Sequence, residues 1–223
     1  MNKSVFLFLA ALLGASVVSA AFGQFSVAAS DGCTIDHEER SVLTAVLKSM
    51  SAQSHPVLVI ESRTDSSHFA RTFSLGDLLL RDATSELPSQ LKSAPAGSAV
   101  FVPSPAPVIP QTQQHELEQE YDAKLSHPCR IPAMSSRSRL LLLKTPMEMK
   151  EIFSGNDRSK GWIRFHRRFG NNAELLTFSR VAFDAAKQYA LVHVSSNGGG
   201  ELYLLTRLNG NWVIKRTFST WVT

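Results

Sequence analysis

Apolar residues recur at Val42, Leu43, Val46, Leu47 and Met50, a spacing that gathers all five on one side of a helix. Asp36 and Glu39 precede them with capping-box spacing, where carboxylates reach the orphan amides of a first turn. The pattern therefore predicts an amphipathic helix over 36–51. Residues 57–60 (VLVI), following Pro56, form a short continuous apolar run and read as a buried strand. Leu75, Leu78 and Leu79 suggest a short helix, and the polar stretch 113–125 a surface helix with little packing. The four leucines at 140–143 predict a second strand. Thr145-Pro146-Met147-Glu148 then combines an N-cap hydroxyl, a proline at the first helical position and an acid at the third. Trp162, Phe165 and Phe169 fall at i, i+3 and i+7 before Gly170. They predict a helix over 161–169 with one aromatic stripe facing a core and a left-handed glycine cap.

From residue 175 the period changes. The runs 175–183, 188–195, 201–208 and 212–218 are β-rich and separated by DAAK, NGGG and NGN, all short turn sequences, with positive φ expected in NGGG. Within the second run, Tyr189-Ala190-Leu191-Val192 is apolar on both sides, as a central strand under helices requires. The expected fold is α+β, with a C-terminal antiparallel meander of about four strands and one or two further strands from the first half. The helices are expected on one face. Pro95, Pro103, Pro105, Pro107 and Pro110 mark a proline-rich loop or linker at about 94–111. An SH3-type ligand reading of that stretch fails for want of flanking basic residues.

The amino terminus changes the expected compartment. Lys3, the apolar run 5–18 and the small residues of Val18-Ser19-Ala20 have the order of a secretory signal peptide over 1–20, with cleavage between residues 20 and 23. The competing reading is an uncleaved anchor, but Gly14, Ser16, Ser19, Gly23 and Gln24 dilute the apolar run before a full span. Ser30-Asp31-Gly32 before Cys33 is a poor lipid-attachment box. The reading is an exported protein, periplasmic or extracellular, with a single α+β domain over 24–223 and no stable membrane insertion after signal removal. In an oxidising compartment the only two cysteines, Cys33 and Cys129, are expected to bridge. No CxxC or Cys/His spacing supports a zinc or redox site.

Composition narrows the class further. The chain has 223 residues, 43% hydrophobic and 19% charged, which suits a real core and excludes a wholly disordered chain or a collagen-like repeat. A mean hydropathy of −0.04 excludes a polytopic membrane protein. The net charge of +4 hides opposing blocks: −6 over 24–129, +7 over 130–180 and +2 over 181–223, with Lys3 beside them. Arg164, Arg167 and Arg168 crowd one part of the 161–169 helix. Guanidiniums so placed can take a carboxylate or phosphate bidentately, although such runs also serve as a solvated helix face. The expected partner is an unknown protein or an anionic ligand. Nucleic acid is not expected, because the charge is modest and no recognition module is visible.

Catalytic motifs are missing. His37-Glu38-Glu39 lacks the second histidine of a zinc protease helix, and there is no GxSxG, SxxK or phosphate-binding glycine loop. Ser179, His193 and Asp184 could be assembled into a triad on paper, but a chain with this many serines and histidines offers such triples by chance. No catalytic residue, metal ligand or cofactor is assigned. His193, alternating with Leu191 along a strand, is a core histidine or a weak binding candidate.

The last third, GWIRFHRRF followed by FSRVAFDAAKQYALVHVSSNGGGELYLLTRLNGNWVIKRTFSTWVT, carries W-x-x-F, S-R-V-x-F, A-L-V-x-V, G-x-W-x-I and a closing W-[ST]. It resembles a family of uncharacterised secreted bacterial proteins with that tail, though it lacks their extended insertion before the third strand. The resemblance implies export and a helix-on-sheet core anchored by Trp162, Phe165, Phe183, Trp212 and Trp221. It implies no activity and transfers no catalytic residue. Arg180 stands apart, a charge in mid-strand that either pairs with a carboxylate such as Glu61 or lines a sheet face that receives an anion. The leading expectation is a non-catalytic ligand- or protein-binding domain. Its rivals are an exported hydrolase with a His/Ser site on the C-terminal sheet, and a structural envelope component.

Overall fold

The structure is a computed structural model that describes residues 32–50, 57–64, 74–79, 108–134 and 140–222, the last two without their side chains. The expected signal peptide, most of the proline-rich stretch and the Trp221 side chain lie outside the described part. The helices are α1 (His37–Met50), α2 (75–79), α3 (Gln111–Leu125), α4 (Pro146–Ile152) and α5 (Arg158–Phe169). The strands are β1 (Val57–Glu61), β2 (Leu140–Lys144), β3 (Ala173–Phe178), β4 (Ala182–Phe183), β5 (Tyr189–Ser195), β6 (Gly199–Leu208) and β7 (Asn211–Val222).

These seven strands form one mixed sheet in the order β2-β1-β3-β5-β6-β7, with β4 also paired to β5. β5, β6 and β7 make the antiparallel meander, while β1 runs parallel to both β2 and β3. The fold is thus α+β with the first-half strands joined on in parallel. The helices pack against both faces of the sheet rather than one. Even-numbered Leu58, Ile60, Leu176 and Phe178 share a core with Val42, Leu43 and Val46 of α1. On the other face, Leu191, Leu202 and Leu204 meet α2 and α3, and Val59 and Ala173 meet Met149, Ile152 and Phe165 of α4 and α5. Strand alternation explains the split: both faces of β1 and β5 are apolar, so both need cover.

Local chemistry sets the element ends. Asp36 Oδ1 accepts from the Glu39 amide at 2.7 Å, and Glu39 Oε2 accepts from the Asp36 amide at 3.2 Å, closing the box that starts α1. α5 begins three residues before Gly161 because Asp157 accepts from the Ser159 and Lys160 amides. It ends at Gly170, whose φ of 99° and ψ of 154° lie in a region reserved for glycine but outside the left-handed helical well. Two of the turns use positive φ: Lys187, at 51°, closes the DAAK turn, and Asn209-Gly210, at 50° and 78°, lie between the paired Leu208 and Asn211. The NGGG turn needs no positive φ; Asn197 Oδ1 instead accepts from the Leu175 amide at 3.0 Å. α3 is less superficial than its composition suggests, because Leu117 and Tyr121 are buried.

At the start of α4, Thr145 and Glu148 exchange cap hydrogen bonds, and Lys144 Nζ donates to Glu148 Oε1 at 2.9 Å. The backbone hydrogen bond from Thr145, then that from Lys144, lowers the Glu148 carboxyl from 4.5 to about 2. A carboxyl depressed in the folded chain stabilises it above the unfolded value, and that contribution fades as pH falls from 4.5 towards about 2. Glu148→Gln is therefore expected to flatten the acid limb of the stability profile in that window. Parallel profiles for variant and wild type in urea titrations across it would refute the assignment.

Cys33 and Cys129 form a disulfide with Cα atoms 4.8 Å apart. The strip around Cys129 is held twice more. The Ile35 amide donates to the Arg130 carbonyl, and the Thr64 amide to the Cys129 carbonyl. Cys129 is thus stitched to both the segment leading into α1 and the segment leaving β1.

Candidate functional site

The run expected as one strand over 175–183 is broken. β3 stops at Phe178, residues 179–181 leave the ladder, and β4 resumes pairing with β5 at Ala182. The break turns Arg180 towards α1, where its Nε and Nη2 donate to the two carboxylate oxygens of Glu39, each at 3.1 Å. The partner is Glu39, not Glu61, and it is fully buried at 0% exposure. Lys124, from the last turn of α3, lies 3.5 Å from Glu39 and 3.0 Å from Glu120, and donates to the Val181 carbonyl at 2.8 Å. One carboxylate thus ties together α1, α3 and the strand break, though α1 and α3 sit on opposite faces. Its acceptor sites are occupied, so Arg180 serves architecture here.

His193 is buried, and its Nε2 lies 3.0 Å from Thr220 Oγ1. Ser179 Oγ accepts from the His193 main-chain amide at 2.9 Å and donates to the Arg180 carbonyl at 2.8 Å. Asp184 Oδ1 accepts from the Tyr189 amide at 2.6 Å, and its buried Oδ2 has no hydrogen-bond partner among the described residues. Of the three residues of the paper triad, Ser179 and Asp184 are thus engaged with main-chain groups and the His193 ring with Thr220. Across the sheet, the Tyr203 hydroxyl donates to Glu201; burial, reinforced by that carboxylate, pushes the phenol above its usual range.

Of the arginines in α5, Arg164 points inward, donating to the Ile152 and Ser154 carbonyls at 2.7 and 2.6 Å and so closing the end of α4. Arg167 and Arg168 are exposed, with the Arg168 guanidinium 5.6 Å from the Phe169 ring centre. The trio therefore does not form a single guanidinium cluster.

A cleft of about 660 Å³ lies elsewhere, between α1 and the start of β7. His37, Arg40, Ser41, Thr44, Lys48 and Ser49 line its helical wall, and Trp212, Val213 and Ile214 its strand wall. No carboxylate lines it among the described residues. Glu38, the nearest acid in sequence, is held by the Trp212 indole N–H at 2.8 Å and by Arg207 at 3.4 Å. Arg40 Nη2 donates to the Ala133 carbonyl at 3.1 Å, which fixes one edge of its guanidinium. The helical wall follows from spacing: residues 37, 40, 41, 44 and 48 fall on the polar side of α1, a stripe about 17 Å long at 1.5 Å per residue. That stripe was present in the sequence as the complement of the apolar one, with cations and hydroxyls and no acid after Glu39. Comparison with protein-family models, curated proteins and solved structures finds no match.

Proposed function

We propose that this chain is an exported, non-catalytic binding domain whose ligand is a small anion with an apolar portion, seated between α1 and β7. The observation that carries the reading is the lining of the cleft among the described residues: two cations, a histidine and three hydroxyls on one wall, Trp212 and two aliphatic residues on the other, and no carboxylate. A site of that size with a few polar groups beside an apolar surface fits ligand recognition. The internal engagement of Ser179, Asp184 and Arg180 supports a non-catalytic role. Export rests on the order of charge, apolar run and small residues at the amino terminus, and kinship with the secreted family rests on the tail motifs.

The test is calorimetric titration with inorganic phosphate, benzoate and phenyl phosphate. Phenyl phosphate should bind most tightly, because it engages both walls. Arg40→Gln should weaken it about tenfold or more, the worth of a charge-assisted hydrogen bond. Lys48→Gln should weaken it less, and both variants should keep the wild-type unfolding midpoint. Equal affinity in wild type and the Arg40→Gln/Lys48→Gln double variant, or no binding of any probe at millimolar concentration, would remove the site. Recovery of the chain from the exported fraction, with an amino terminus just after residues 20–23, checks the compartment.

A further inference from the structure

We propose that the outer face of the α4–α5 pair is a peripheral docking surface for an anionic phospholipid bilayer. Both helices bury one side in the same core: Met149 and Ile152 from α4 and Phe165 from α5 pack with Val59 and Ala173 on one face of the sheet. Their opposite sides consequently face the same solvent. On that side stand Met147, 68% exposed, and Ile163, 57% exposed, the two most exposed large hydrophobic side chains among the described residues. Long basic side chains surround them. Lys150 and Arg167 are exposed and make no ion pair among the described residues, and Arg168 is exposed beside them. Lys160 has only the exposed Asp157, at 3.6 Å. Over residues 144–168 there are seven Lys and Arg against three Asp and Glu. Of those acids, Glu148 is occupied by Lys144 and the cap, and Asp157 caps α5, leaving Glu151 on the outer side.

Isolated apolar tips among cationic stems match a headgroup layer, where each stem reaches a phosphate and each tip enters the acyl boundary. A protein interface would ask for a contiguous apolar centre with aromatic anchors. Here the aromatic residues of α5 are turned the other way: Trp162, Phe165 and Phe169 pack with Phe153 in the core. The proposal is peripheral attachment, compatible with the finding that no helix of the described residues is long and apolar enough to cross a membrane.

Vesicle co-sedimentation of the full chain tests this, using phosphatidylcholine alone and phosphatidylcholine mixed with phosphatidylglycerol. The readout is the ratio of partition coefficients, compared between wild type and each variant, because the amino-terminal segment with Lys3 and its apolar run is common to all of them. The ratio should be well above one at low salt and fall towards one at about 0.5 M sodium chloride, where charges are screened within a few ångströms. Replacing Lys150 and Arg167 by Gln should lower partition to the anionic vesicles about 30-fold, near fivefold per cation. Ile163→Ser should lower it about fivefold at unchanged salt dependence. All three positions are exposed, and circular dichroism with an unchanged melting midpoint confirms that the variants fold. A ratio near one at low salt, or variants that partition as wild type does, overturns the proposal. So does retention on an acidic polysaccharide resin without preference for anionic vesicles, which would assign the face to a soluble polyanion.

Discussion

Reducing the Cys33–Cys129 bridge lowers the unfolding free energy by about 4–5 kcal/mol, the loss of loop-closure constraint expected for residues separated by 96 positions. For a chain of this size that corresponds to a fall in melting midpoint on the order of 10–15 °C. The effect lies mainly in the unfolded chain. In the folded one, the Ile35, Thr64 and Ile131 amides still hold the strip around Cys129 through main-chain hydrogen bonds. Urea unfolding with and without reductant measures it, and the Cys33→Ala/Cys129→Ala variant separates it from other effects of the reagent. Both should shift the midpoint with a similar slope, apart from a modest increase reflecting a more expanded unfolded state. A difference under about 1 kcal/mol would show that the bridge closes a loop already constrained by residual structure.

Glu39→Leu is expected to cost about 3–5 kcal/mol, because it leaves Arg180 and Lys124 facing a buried apolar surface without their shared anion. The variant also removes half of the α1 capping box, which accounts for about 1 kcal/mol of the total. Arg180→Met alone is expected to be comparably damaging, since Glu39 is wholly buried and would keep Lys124 at 3.5 Å as its one cation beside the Asp36 amide. The double variant Glu39→Leu/Arg180→Met should recover most of the loss, as apolar groups of similar volume replace a buried pair. A double-mutant cycle from chemical denaturation decides the matter. Additive single effects, with no recovery in the double variant, would mean that the two side chains do not interact energetically.

Particular residues show where the sequence was legible. α1 was readable at both ends because its apolar stripe and capping box are local, and α4 was readable because cap, proline and acid fall within four residues. The antiparallel meander followed from short turns, since neighbouring strands in sequence pair in space. The parallel pairing of β1 with β2 and β3 was not legible, because Val57 meets Leu140 and Ala173 across long stretches of chain and no local signal encodes that register. Arg180 signalled a partner by its position in an apolar run. That the partner was Glu39 depended on a strand break and a helix placed on the sheet by tertiary packing. Glu39 itself was assigned to a helix end. It performs that local task and also neutralises a distant guanidinium, a double use that spacing cannot reveal. The guanidiniums of α5 were identified by type, but their directions were not: Arg164 belongs to the α4 terminus and Arg167 to solvent. The cleft was not legible because its cations, Arg40 and Lys48, sit in the acidic half of the chain rather than in the basic block.

The two rims of the sheet have a consequence for solubility. Among the described strands, β2 and β7 are the outermost, and an open rim is a template on which a second chain can crystallise a strand of its own. β2 discourages this by brevity, with only five residues, and by ending at Lys144 directly before Thr145 and the amide-lacking Pro146. β7 is long enough to recruit a neighbour, with twelve residues. It carries Lys215 and Arg216 midway along, so two copies brought together edge to edge in antiparallel register would oppose like charges. Among the described residues, these two rims are thus guarded by the sequence of their edges: brevity and a following proline on β2, like charges on β7.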